Sequence, residues 1–228
     1  MIYITGDTHG DIDWRKLNTK NFPEQQNLTK NDYVIICGDF GGIWTGTRKD
    51  DYFLRTYNSR NFTTLFVDGN HENHEALNSY PVEIWNGGKI HRFKDSVIHL
   101  MRGQVYTIDG ITFFTFGGAK SSDIAYRKEG VSWWKEEIPS KEEFGEGLAN
   151  LKKIDNKVDV IITHTCSSRL INVFDKYPIL ESQCEINSYF DEIEENVEFK
   201  KWYFGHHHAD MNLGKYRMLY DDIVKLEL

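Results

Sequence analysis

The chain carries 228 residues, 39% of them hydrophobic and 14% aromatic, with a formal net charge of −8. That length and apolar content are enough to bury a core without staples, and the acidic balance argues against the broad basic face that extended nucleic acid requires. No stretch approaches the roughly 20 apolar residues that cross a bilayer, the opening "MIYITGDTHG" lacks the regions of a signal peptide, and Cys37, Cys166 and Cys184 form no C-x-x-C, so a cytoplasmic protein with reduced thiols and no membrane partner is expected.

In chain order, short apolar runs recur, each closed by glycine or a polar residue: "IYIT" (2–5), "YVIIC" (33–37), "TLFVD" (64–68), "VDVIIT" (158–163) and "KWYF" (201–204). Their β-branched and aromatic content predicts buried strands. Amphipathic segments separate the first three. In 49–60, Tyr52, Phe53 and Tyr57 fall near helical spacing, which predicts βαβ units and a sheet with helices outside. Within 97–118 an Asp109-Gly110 pair predicts a tight hairpin, so antiparallel strands join the sheet system. Ser140 with Glu143 three residues on is a capping box opening a helix. A further helix is predicted over 185–197, with Ile186, Phe190 and Ile193 on one face. The end, "YRMLYDDIVKLEL", predicts two closing strands around Asp221-Asp222. No repeat, linker or low-complexity tract divides the sequence, so one domain over 1–228 is expected.

The residues that follow the strand-like runs carry the chemistry. They read Gly6-Asp7-Thr8-His9-Gly10, Gly38-Asp39-Phe40-Gly41-Gly42, Gly69-Asn70-His71-Glu72, then His164, then Gly205-His206-His207-His208. Functional groups in open α/β sheets gather at the carboxyl ends of strands, so these five segments are expected to converge. Carboxylate, imidazole and amide oxygen together suit manganese, iron, zinc or nickel, whereas calcium prefers oxygen alone. In an extended segment residues i and i+2 point the same way, so Asp7 with His9, and His206 with His208, can each grip one site while His207 points away.

In these blocks, "GDTHG", "GDFGG", "GNHE", "THT" and "GHHH", the sequence resembles the calcineurin-like metallophosphoesterase superfamily, over positions 6 to 208 and in the family's order. The resemblance implies an α/β fold, a two-sheet β-sandwich flanked by helices, with a dimetal site at the strand C-terminal ends. It implies that Asp7, His9, Asp39 and His208 bind one divalent ion. Asp39, Asn70, His164 and His206 would bind a second, with Asp39 bridging. His71 would be a general acid or phosphate contact. Such ions lower the pKa of bound water, and the hydroxide attacks phosphorus in line. The implied activity is hydrolysis of a phosphate mono- or diester.

One departure narrows the class. Many relatives continue the second block as G-D-x-x-D or G-D-x-x-D-R-G, and the phosphoprotein phosphatase branch uses those residues around its phosphate site. "GDFGG" lacks them, which favours a small-molecule or nucleotide substrate and leaves a phosphoprotein phosphatase as an alternative. A catalytically silent module that holds metal and recognises a phosphorylated ligand or protein partner is a second alternative. Retention of every ligand and of His71 favours the enzyme, because unpaired buried charge is costly. Arg127, after the glycine-rich "FGGAKSSD", is the candidate substrate contact, while solvent exposure is expected for Arg102 and for "HRFK" (91–94). Glu72 is read either as orienting His71 or as capping the next helix. His74 is read as structural on a helix face shared with His71, His91 and His99 as surface or strand residues, and Trp44, Trp133 and Trp134 as buried packing rather than a stacking platform.

Overall fold

The computed structural model describes residues 1–174 and 184–228. Among them the strands are β1 (Ile2–Thr5), β2 (Tyr33–Ile36), β3 (Thr63–Phe66), β4 (Val82–Trp85), β5 (Gly88–Lys94), β6 (Val97–Leu100), β7 (Gln104–Ile108), β8 (Ile111–Phe116), β9 (Val160–Thr163), β10 (Lys201–Phe204), β11 (Met211–Leu213), β12 (Tyr216–Met218) and β13 (Ile223–Lys225). The helices are α1 (Arg48–Asn58), α2 (His74–Asn78), α3 (Lys141–Lys152), α4 (Ser168–Phe174) and α5 (Glu185–Asn196).

The strands form two mixed sheets. One runs β13-β1-β2-β3-β6-β5-β4 and the other β11-β12-β10-β9-β8-β7. Pairing is parallel through β1, β2, β3 and β6, and again through β8, β9, β10 and β12. Alternation of side chains along each strand then sorts the apolar residues into layers. Ile4, Ile35, Leu65 and Ile98 fall in one row and face Phe113, Val160, Ile162 and Tyr203 of the other sheet. The alternate residues Val34, Ile36 and Phe66 face outward onto Phe53, Leu54 and Tyr57 of α1. On the far side Phe116, Ile161 and Trp202 pack on Leu151 of α3 and on Ile186, Phe190 and Ile193 of α5. The result is helix, sheet, sheet, helix. Each of those fully buried side chains contributes about 1.5–3 kcal/mol by leaving water.

Local signals account for most boundaries. Asp109 (φ 51°) and Gly110 (φ 78°) turn β7 into β8 in the left-handed geometry a two-residue hairpin needs. Ser140 and Glu143 close the capping box of α3. Two expectations change. No α-helix links β1 to β2, only short 3₁₀ turns. Tyr52 is 71% exposed, so only Phe53 and Tyr57 of that trio face the core. The two closing strands stand on either side of Asp221-Asp222 as expected, β12 beside β10 in one sheet and β13 beside β1 in the other. One hairpin went unread: Asn86-Gly87 joins β4 to β5, with Trp85 opposite Gly88. Its signal, Asn-Gly between apolar runs, is plain in the sequence.

Candidate active site

Parallel pairing puts the carboxyl ends of β1, β2 and β3 along one rim and those of β9 and β10 along the facing rim. The rims touch directly. His164 Nδ1 donates to the Cys37 carbonyl at 2.8 Å, and the His206 N–H donates to Asp7 Oδ1 at 3.1 Å. Close approach is possible because glycines stand between strand and functional residue. A Cβ on Gly69 would lie 2.0 Å from Asp39 Oδ1, and one on Gly205 would lie 2.2 Å from Asp7 Oδ1.

The five segments converge. Donor atoms of Asp7, His9, Asp39 and His208 all lie within 4.8 Å of one another. Asp39 reaches both halves of the cluster: His9 Nε2 is 3.1 Å from its Oδ2, and His164 Nε2 is 3.3 Å from its Oδ1. Asn70 Oδ1 is 3.0 Å from His164 Nε2, and the His206 ring lies 4.9 Å from that of His164. Backbone hydrogen bonds lock this arrangement, since the Asp39 carbonyl accepts from the N–H groups of Thr8 and His9 and its side chain accepts from the His71 N–H at 2.7 Å. Asp39 is held at φ 47°, an uncommon backbone region for a residue with a Cβ. His9, His206 and His208 also have positive φ (43°, 66° and 48°). The side chains therefore meet through turns, not through extended i, i+2 geometry. His206 turns toward His164, and His208 toward Asp7, whose Oδ2 is 3.2 Å from its Nε2. The His207 ring packs against Phe174 and Phe204.

Surrounding groups orient these donors, and four of them had not been singled out from sequence. Asp13 Oδ2 accepts from His9 Nδ1 at 2.6 Å, leaving Nε2 for the centre of the cluster. The Cys37 carbonyl does the same for His164. Glu137, fully buried, accepts from Ser121, and Ser121 Oγ accepts from Asn70 Nδ2 at 3.1 Å, which aims Asn70 Oδ1 inward. Lys16 Nζ donates to the Asp7 carbonyl at 2.5 Å. Glu72 does neither task proposed for it. It is buried and accepts from the backbone N–H of Phe40 at 2.7 Å and of Gly41, bracing the loop after Asp39, while Asn73 caps α2. His71 precedes α2, so it shares no helix face with His74.

The donor set fits divalent cations. Asp7 is fully buried, yet its Oδ2 accepts no directed hydrogen bond among the described residues. With their Nδ1 hydrogens committed to Asp13 and Cys37, His9 Nε2 and His164 Nε2 both confront carboxylate oxygens. Burial opposes a charge on His164, but Asp39 and Asp7 outweigh it and push its pKa up to about 10. Burial likewise works against an ionised Asp39, and His164 and His9 outweigh it and hold the carboxyl well below its usual range.

Arg127 is brought to the same place. Its Nη1 and Nη2 each lie 3.2 Å from a ring nitrogen of His71, its Nε pairs with Asp123 at 2.7 Å, and Nη1 donates to the Ser132 carbonyl. Burial, helped by Arg127 and resisted by Asp39, lowers the His71 pKa. A cavity of about 530 Å³ is lined by Asp39, Asn70, His71, Arg127, His206 and His208, among others. Arg102 is elsewhere and is buried, not exposed: its Nη2 meets Asp68 at 2.6 Å. His91 and His99 are strand residues, but both are buried.

The family model described as Metallophos, calcineurin-like phosphoesterase, matches residues 1–210. A search of curated proteins finds no match. Among solved structures, the phosphopantetheinyl hydrolase of Mycobacterium tuberculosis is similar at 17% identity and a TM-score of 0.48, covering 96% of this chain and 87% of that one. A Staphylococcus aureus protein described as a 5′-nucleotidase, in complex with α-ketoglutarate, is similar at 15% identity and a TM-score of 0.48, covering 96% of this chain and 48% of that one.

Proposed function

Because this chain belongs to the calcineurin-like phosphoesterase family and is thereby a metal-dependent phosphoester hydrolase, we propose that it cleaves small phosphorylated molecules at a two-metal centre built on Asp39. One ion is held by Asp7, His9, Asp39 and His208, the other by Asp39, Asn70, His164 and His206. The observation that carries this reading is the placement of one carboxylate between His9 at 3.1 Å and His164 at 3.3 Å, where a single negative group can serve two cations and offset their repulsion. When bound, the ions supply charge that stabilises the phosphoryl oxygens and acidify water at neutral pH. Manganese, iron, zinc and nickel suit these donors.

The protein's own side chains do the rest. Arg127 takes phosphoryl oxygens on its guanidinium fork, the geometry that suits phosphate best. His71, next to it, passes a proton to the leaving oxygen. The Glu72 brace and the Glu137–Ser121–Asn70 relay hold the donors in place, so little reorganisation accompanies the reaction. The 530 Å³ cavity is of the size small ligands occupy. Gly42 and Ile43, which stand where the phosphoprotein phosphatase pattern has aspartate and arginine, support a small-molecule substrate. Residues 1–228 act as one domain in this reading, since both sheets supply the centre. The three buried cysteines, with thiols outside any disulfide among the described residues, support a reducing, cytoplasmic location, and no helix among the described residues is long and apolar enough to cross a membrane.

Replacing Asp39→Asn tests the reading directly. Bound metal, measured by elemental analysis, and hydrolysis of an aryl phosphomonoester and diester with manganese should both fall to background. Chelator should silence the parent enzyme. Turnover that survives in Asp39→Asn contradicts the bridging role.

A further inference from the structure

A second cavity, of about 260 Å³, opens beside the first and shares His71 with it, with His9 also in its wall. Its side wall is Trp44. That ring is fixed by an edge contact from Trp134, 5.2 Å away at 84°, and Trp134 is itself 4% exposed. Of the tryptophans, then, one is packing and the other is presented. Phe53 and the bare backbone of Gly41 and Gly42 complete an apolar surface. Any side chain at 42 would crowd Phe40, whose ring lies 2.3 Å from where its Cβ would stand, so the space depends on glycine.

The charged groups in this wall are already committed. Asp50 is buried and its Oδ2 accepts from the N–H groups of Trp44, Thr45 and Gly46 at 3.0, 2.8 and 2.8 Å, while Oδ1 accepts from the Thr45 hydroxyl at 2.8 Å. Those bonds also shape the turn that presents Trp44. Lys49 pairs with Asp11 at 3.2 Å on the rim. An occupant of this cavity finds aromatic faces and no uncommitted charge.

We propose that this cavity receives the leaving group of the substrate, an uncharged nucleoside whose flat aromatic base stacks on Trp44. The proposal rests on the phosphoesterase reading above. With the phosphoryl group at the Asp39 centre, in the cavity that Arg127 and His71 both line, the ester oxygen faces the shared His71 and the organic group extends past it. Hydrolysis then breaks the bond from phosphorus to that oxygen and bonds a water oxygen to phosphorus; the leaving oxygen takes a proton from His71, and a neutral nucleoside and the phosphate are released. Nucleoside phosphates are the substrate class, because stacking on an aromatic face tolerates any base.

Selectivity between ester substrates tests it. The ratio of kcat/KM for adenosine 5′-monophosphate to that for glycerol phosphate, and for the matching methyl diesters, should fall about tenfold in Trp44→Ala and return in Trp44→Phe. An unchanged ratio overturns the proposal. Adenosine binding to the metal-free protein, followed by saturation-transfer NMR, reads the cavity without catalysis. Binding that disappears in Trp44→Ala supports the assignment. Binding absent from the parent, or unaffected by the substitution, refutes it. If no ester is turned over, the phosphoesterase reading fails, and the adenosine measurement still decides the cavity.

Discussion

Two carboxylates, Asp39 and Asp68, follow neighbouring parallel strands, and both are buried among histidines. Their surroundings differ in one respect. Asp68 has a resident cation: Oδ2 receives Arg102 Nε and Nη2 at 2.9 and 2.6 Å, and Oδ1 lies 3.1 Å from His99 Nε2. Burial would raise its pKa, yet Arg102 and His99 hold the carboxyl far below the usual range. Around Asp39 and Asp7 the near side-chain partners are imidazoles; Asp13 and the Cys37 carbonyl hold the outer Nδ1 of His9 and of His164, so that their Nε2 atoms face inward. A carboxylate cluster that brings its own guanidinium is a structural ion pair. One faced by imidazole nitrogens has donors that could hold an added cation. Residue type alone does not separate the two cases.

The comparison can be broken at either end. Arg102→Met leaves Asp68 buried without its counter-ion, and breaking a buried pair in this way costs about 3–5 kcal/mol. Urea unfolding of the metal-free protein should register that loss, with two metal ions still bound per chain at saturation. An unchanged unfolding midpoint would make the Asp68 cluster no different in kind from the metal-facing one. Asp13→Asn keeps the shape beside His9 but weakens the acceptor that fixes its ring. Outer partners of this kind are worth roughly 10–100-fold in metal affinity, which calorimetric titration would read. Affinity equal to that of the parent would remove Asp13 from the account.

The smallest expected effect is on pH. Burial, aided by Arg102, lowers the pKa of His74 to about 4, against 6.5 for the free side chain. The unfolded chain then binds the extra proton first as pH falls. The stability His74 lends is fully present above pH 6.5 and is lost between 6.5 and 4. About 2 kcal/mol should disappear between pH 7 and 5, and His74→Asn should flatten that slope. A slope identical in the variant would show that His74 is not a neutral core histidine.

Most of the fold could be read from particular residues. The Asp109-Gly110 turn, the Ser140–Glu143 box and the apolar face of α5 stand where their patterns put them, because each depends on contacts a few residues apart. The Asn86-Gly87 hairpin carried an equally local signal. Arg102 was read as exposed because its partner, Asp68, lies thirty-four residues away and nothing in the neighbouring chain announces it. Glu72 misled for a similar reason: its acceptor role faces Phe40 and Gly41 across thirty-two and thirty-one residues.

By itself the sequence determined which polar side chains follow which strands, since apolar runs closed by glycine or a polar residue are a local property of the chain. It thereby determined that five such ends carry Asp, Asn and His. Tertiary structure alone decided that Asp7 meets His206 across 199 residues, that Asp68 meets a guanidinium while Asp39 meets imidazoles, and that Trp44 is presented while Trp134 is buried. Those outcomes depend on which sheet edges and loops come face to face. Burial and charge pairing are settled by that meeting, not by the order of residues along the backbone.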